Sequence, residues 1–233
     1  MSLADHLEEL RRRLGICLAA FLIAVGVSWT QVDRVMAWLR RPSELWLPRL
    51  VFVSPTEPVM AYLTVTMLAG LILAMPMVLW QVWGFVRRGL TPREQTLGGM
   101  FVGWGSALFL VGAALAYYGV LPISLKYLLG AGRDTLEPMV SIKTYLSFVT
   151  TIMFWCGLIC ELPLVLWVLA AVGVVTSEWL RQQRSYAILV LVILAALVTP
   201  TTDPVNLMLM TLPMVLLYEI SIVVTRLAMR RRA

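Results

Sequence analysis

The sequence predicts an all-α polytopic membrane protein, with six transmembrane helices bent into a concave bundle and both termini in the cytoplasm. Three observations carry this. Of 233 residues, 60% are hydrophobic against 14% charged, and the mean hydropathy of +0.85 exceeds what a domain with a solvated surface sustains. The apolar residues gather in six runs, at about 14–29, 59–85, 97–121, 145–173, 186–198 and 205–224. None of the runs shows the ten-residue alternation of barrel strands, and lipid admits only helices or closed barrels. Each run therefore reads as one helix of a single integral membrane domain over 1–233.

Six crossings return the chain to its starting side, and the basic residues choose that side. Arg11, Arg12, Arg13, Arg87, Arg88, Arg93, Arg181, Arg184, Arg226, Arg230, Arg231 and Arg232 fall with the termini, twelve of the 19 lysines and arginines, which places the termini in the cytoplasm. In the first external loop Val32, Val35, Met36 and Leu39 recur at helical spacing beside Trp38 and Trp46. This predicts a helix lying in the outer interface and stopped by Pro42. Pro76, Pro163 and Pro213 each remove a hydrogen bond inside a run, bending the helices and leaving concave faces. The pair Gly99 and Gly103 has the spacing of a close helix approach. The fifth run, at 1.5 Å per residue, reaches only about 20 Å against a hydrocarbon core of about 30 Å. The sixth starts almost as deep, since only Thr199 to Pro204 separate the two, so the last two helices are expected to be short.

Several function classes are excluded. The three cysteines all lie in apolar runs, where a thiol is a small buried hydrophobe, and His6 is the only histidine, so no metal-ligand cluster can be assembled. There is no phosphate-binding loop, nucleophile elbow or zinc helix motif, and no histidine placed as a general base, so neither an enzyme nor a cofactor is expected. The basic residues before the first run have the outline of an export signal. Asp5, Glu8 and Glu9 make the stretch acidic as well, and no small-x-small site follows Val27, so it reads as part of the mature chain.

Acidic residues stand out at five places in the chain. Glu161 lies in LICELPLVL at mid-membrane, where a charge costs about 2.5 to 3.5 kcal/mol; it is either a functional site or a protonated partner of a neighbouring helix. Glu219 is seven residues from Arg226 and reads as snorkelling to the cytoplasmic surface. Asp203, in TPTTDP, has the position of a helix cap. Glu94, in FVRRGLTPREQ, shares the cytoplasmic side with the opening HLEELRRRL. In that opening, Asp5 and Glu8 have capping-box spacing and Leu7, Leu10 and Leu14 form an apolar stripe. Glu8 with Arg12 and Glu9 with Arg13 form one-turn ion pairs, which leaves a charged lead-in and a binding site equally open.

HLEELRRRL, PTEP at Pro55 to Pro58, QVWGF from Gln81, GLTPRE ending at Glu94, GAALAYYGVLP, SYAILV, VTPTTDP and LPMVLLYE resemble, in order and over nearly the whole chain, the TatC family, the six-span core of the twin-arginine protein translocase. The resemblance implies a receptor for twin-arginine signal peptides, exporting folded proteins with single-span TatA and TatB partners, further copies of itself and the proton gradient. Glu9 and Glu94 then match the acids that receive the paired arginines. Arg11 matches the motif arginine, Gln81 and Phe85 the loop entrance, Pro42 the external-loop proline, and Glu161 and Asp203 an intramembrane polar site for partners. Arg87 and Arg88, Cys160 and Leu207 depart from the family pattern, which commonly has a proline, a phenylalanine and a glutamine at these places. The absence of a transit segment before the motif points to a prokaryotic cytoplasmic membrane. The rival reading is a proton-coupled secondary transporter using Glu161.

Overall fold

The computed structural model describes residues 3–44, 46–47, 50–87, 95, 98–130, 138–198 and 203–230. Helices dominate them, and the only β-type pairing among them is one bridge between Val51 and Ser141. The opening motif and the first apolar run form one helix, α1 (Leu3–Trp29). Asp5 and Glu8 lie inside it, not at its first residue. After Trp29 the chain turns by 80° into α2 (Val32–Glu44). Pro42 does not stop α2 but sits within its last turn.

The apolar stripe of α2 does not lie in lipid. Val32, Met36, Leu39 and Ser43 are buried against the bundle, Trp38 stacks on Tyr117 with ring centroids 3.9 Å apart, and the hydroxyls of Tyr117 and Tyr145 donate to the carbonyls of Trp38 and Leu39 at 2.6 and 2.9 Å. The stripe predicts a helix with one covered face; its cover is protein.

The second run becomes α3 (Glu57–Val86), with Pro58 in its first turn, where a missing N–H costs nothing, and Pro76 in its interior. The third becomes α4 (Gly98–Leu115), a wide turn at Ala116–Val120, and α5 (Leu121–Gly130). Pro122 follows the wide turn and accounts for it, since its ring clashes with a regular ladder and it has no hydrogen to donate. The fourth run breaks at Glu161 into α6 (Ile142–Cys160) and α7 (Leu162–Val172), because Pro163 in the next turn cannot continue the ladder. Gly173, at φ 84°, ends α7 in the left-handed conformation that glycine adopts without strain.

A short α8 (Ser177–Gln182), capped by the Thr176 hydroxyl, leads to α9 (Arg184–Val198) and α10 (Pro204–Arg230). Only α9 is short. The sixth helix has 27 residues and continues beyond the apolar run.

The helices of Glu57–Val86, Gly98–Gly130, Ile142–Val172 and Pro204–Arg226 are each long and apolar enough to cross a membrane, and α1 with α2 qualifies as a bent pair. Large apolar side chains such as Leu14, Leu18, Leu22, Trp104 and Val111 are exposed, as expected of a surface that meets lipid. Small residues set the closest crossings. A Cβ at Gly112 of α4 would lie 2.5 Å from the Cys156 carbonyl oxygen and 2.8 Å from the Gly157 Cα of α6, and one at Gly70 of α3 would overlap Val25 of α1. Gly99 and Gly103 face outward with nothing within 4 Å.

Candidate functional site

The α1–α3 contact carries HLEELRRRL against QVWGF. Glu9 and Arg13 are one turn apart, and Arg13 donates from Nε and Nη2 to the same Glu9 oxygen, Oε1, at 2.9 and 2.7 Å. The pair is sheltered, with the side chains only 11% and 19% exposed for Glu9 and Arg13. Nη1 of Arg13 reaches α3, donating to the backbone carbonyl and the side-chain oxygen of Gln81 at 3.2 and 3.3 Å. Gln81 is 9% exposed, and Phe85, half-buried, lies one turn further along the same face.

Beside the pair is a cavity of about 220 Å³, lined by Arg13, Trp83, Gly84, Arg87, Gln95 and Gly98. Of the residues expected to act together, Glu9 and Gln81 are joined, through Arg13. Arg11 is exposed on another face of α1, two positions away and so about 200° around the helix. Glu94 lies outside the described residues.

The second acidic position sits at the α6–α7 break. Glu161 is 5% exposed, its backbone carbonyl accepts from the N–H groups of Leu164 and Val165, and neither carboxylate oxygen has a hydrogen-bond partner among the described residues. Gly105 of α4 lies beside it: a Cβ there would meet Leu79 at 2.6 Å, Leu164 at 2.9 Å and Oε2 at 3.2 Å. The hydroxyl of Ser106, next to Gly105 in sequence, is likewise buried and unpartnered among the described residues. Proteins rarely leave a buried carboxylate unsatisfied, because its desolvation is uncompensated.

A family model described as Sec-independent protein translocase protein (TatC) matches residues 5–213. The chain belongs to the TatC family. The Sec-independent protein translocase protein TatC of Aquifex aeolicus is 37% identical over 236 residues, covering 100% of this chain and 98% of the relative. That of Carboxydothermus hydrogenoformans is 36% identical over 226 residues, covering 97% and 93%. A crystal structure of a protein described as the twin arginine translocase receptor TatC superposes with a TM-score of 0.87 at 37% identity, covering 97% of this chain and all of that one. A second, of the same receptor in DDM, superposes at 0.88 with 36% identity. These relatives do not favour the transporter reading.

Within this TatC-family chain the other acids take structural partners. Asp203 caps α10, its two oxygens accepting from the backbone N–H and side-chain amide of Asn206 at 2.8 and 2.9 Å. It does not share a site with Glu161. Cys160, the neighbour of Glu161, packs with Pro213, Met214 and Leu217, and Pro213 is nine residues from Pro204, roughly 14 Å along α10. Glu219 does not pair with Arg226 down its own helix but with Arg184 of α9, in a fork whose Nε–Oε1 arm is 2.5 Å.

Arg13 and Gly84 also belong to the site, although neither stands out in the sequence as a member of it. Gly84 follows Gln81 by three positions in QVWGF, so the two share a helix face, and a Cβ there would overlap the Arg13 guanidinium.

Proposed function

We propose that this chain is the receptor core of a twin-arginine translocase in a prokaryotic cytoplasmic membrane. It crosses six times, through α1, α3, α4 with α5, α6 with α7, α9 and α10, and keeps both termini in the cytoplasm. Glu9, with Glu94 of the first cytoplasmic loop, takes the paired arginines of a signal peptide, and Gln81 and Phe85 form the entrance. Single-span TatA and TatB proteins, further copies of the chain and the proton gradient complete an export machine for folded proteins. It carries out no catalysis of its own.

One observation carries this reading beyond the family: the Glu9 carboxylate, held beside Gln81 at the end of α3, already sits in a geometry that fits a guanidinium fork. Arginine meets carboxylate through planar, charge-assisted pairs that a lysine ammonium does not reproduce. A signal peptide with paired arginines is expected to bind the chain in lipid nanodiscs at least about tenfold more tightly than its paired-lysine counterpart, since each lost charge-assisted bond removes about 1.5 to 3 kcal/mol. Equal affinities would refute an arginine-specific acceptor.

Glu161 serves the intramembrane step, as the polar group that a partner helix or the inserted signal meets; Asp203 reads best as supporting that region by starting α10. Substituting Glu161→Leu removes an unsatisfied buried carboxylate, so the chain is expected to gain about 1 to 3 kcal/mol in stability while export falls. Thermal melting in detergent and vesicle export with the partners present measure the two effects. Unchanged export and assembly would leave Glu161 a purely structural role.

A further inference from the structure

Glu9 is already occupied by a guanidinium, and the contact is more elaborate than a one-turn ion pair requires. Arg13 commits Nε and Nη2 to Glu9, and Nη1 to two oxygens of Gln81 on another helix. Gly84 supplies the space, since any Cβ there would overlap that guanidinium. We propose that Arg13 is a tethered occupant of the acceptor carboxylate, which an incoming arginine must displace before the signal peptide can bind. The proposal rests on the reading of Glu9 as the acceptor given above.

The chemistry follows from exchanging like for like. An incoming guanidinium can restore both bonds to Oε1, and the cavity bordering Arg13 gives the exchange room. A tethered competitor lowers the apparent affinity of every cationic ligand by one common factor, the fraction of time that the carboxylate is vacated. The ratio between arginine and lysine ligands stays fixed, but the whole scale shifts, so a weak lysine ligand drops out of the working range while an arginine ligand remains in it. When the peptide leaves, Arg13 returns to Oε1 and restores the pair.

The test compares affinities of a synthetic twin-arginine signal peptide and its twin-lysine counterpart for the full chain in nanodiscs. Arg13→Gln is expected to tighten both by the same factor, roughly tenfold, which corresponds to about 1.4 kcal/mol. Gly84→Ala, which pushes the guanidinium out, is expected to tighten both as well, and to add nothing in the Arg13→Gln background. Arg13→Lys, which keeps the charge and stem but not the fork, is expected to fall between wild type and Arg13→Gln, and it decides the matter if the glutamine variant does not fold.

Unchanged or weaker arginine-peptide binding in the Arg13 variants, or tightening of one peptide alone, overturns the tethered-occupant proposal. Glu9→Gln is measured in parallel. If that change leaves arginine-peptide affinity untouched, the acceptor assignment fails, whatever the Arg13 variants do.

Discussion

Replacing Glu9 and Glu94 together with alanine is expected to weaken capture of a twin-arginine signal peptide by roughly 100- to 1,000-fold, while the chain still inserts and folds. The magnitude comes from two charge-assisted contacts at about 1.5 to 2 kcal/mol each, because every 1.4 kcal/mol is a tenfold change. Two fully exposed pairs would together give about 2 kcal/mol at most, so the shelter of Glu9, 11% exposed, is what raises the figure. Folding survives because Arg13 keeps its bonds to Gln81, and its long stem lets the charge reach water. Pull-down or site-directed crosslinking of the peptide measures the loss. Glu44→Ala, an exposed acid at the end of α2, should leave binding unchanged. Retained binding in the double variant would refute the roles given to both acids.

The second large effect concerns the scaffold. Gly112→Leu is expected to destabilise the chain by about 3 kcal/mol or more, whereas Gly103→Leu should lie within about 0.5 kcal/mol of wild type. At Gly112 the obstructing atoms are the carbonyl oxygen of Cys156, the Cys160 Sγ and the Cα of Gly157; two of the three are backbone, so no side-chain rotation relieves the clash and α4 must move away from α6. That movement would also unseat Phe109, which is 1% exposed and packs over Gly157. Gly103 is exposed and has open space where its Cβ would be, so a leucine there meets no obstruction at that atom. Thermal unfolding of the two variants in one detergent separates them. A Gly112→Leu chain as stable as wild type would show that the crossing yields easily.

The contrast between these glycines shows where sequence reasoning ran out. A GxxxG spacing says that a helix surface is smooth but not which neighbour lies against it, so Gly99 and Gly103 drew attention while the working contact was made by Gly112 and Gly157, distant in sequence. The same limit applies to Glu219, which reads from the sequence as snorkelling to the surface, whereas its partner, Arg184, is 35 residues away. It applies again to α2, whose stripe was legible but whose cover of Tyr117 and Tyr145 was not.

Features fixed by neighbouring residues were readable: the proline break beside Glu161, the Asp203 cap, and the Glu9–Arg13 pair. The link from that pair to Gln81 and Gly84 needed the packing of α1 on α3. The length of α10 was underestimated because an apolar run marks only what lipid requires, whereas a helix satisfies its own backbone and continues into water.

The short α9 has a consequence for the two leaflets. At its Arg184 end it is tied to α10 by the fork to Glu219, and just before it the Leu180 carbonyl accepts from the Tyr218 hydroxyl. Its other end, at Val198, is only six positions before the start of α10 at Pro204. Fifteen residues reach about 22 Å, which leaves roughly 8 Å of a 30 Å hydrocarbon slab uncovered. If α9 is one of the six crossings proposed above, with its Arg184 end at the cytoplasmic surface, that deficit falls on the lipids at the Val198 end. On that topology the bilayer beside these two helices is strained asymmetrically, with one leaflet regular and the other compressed.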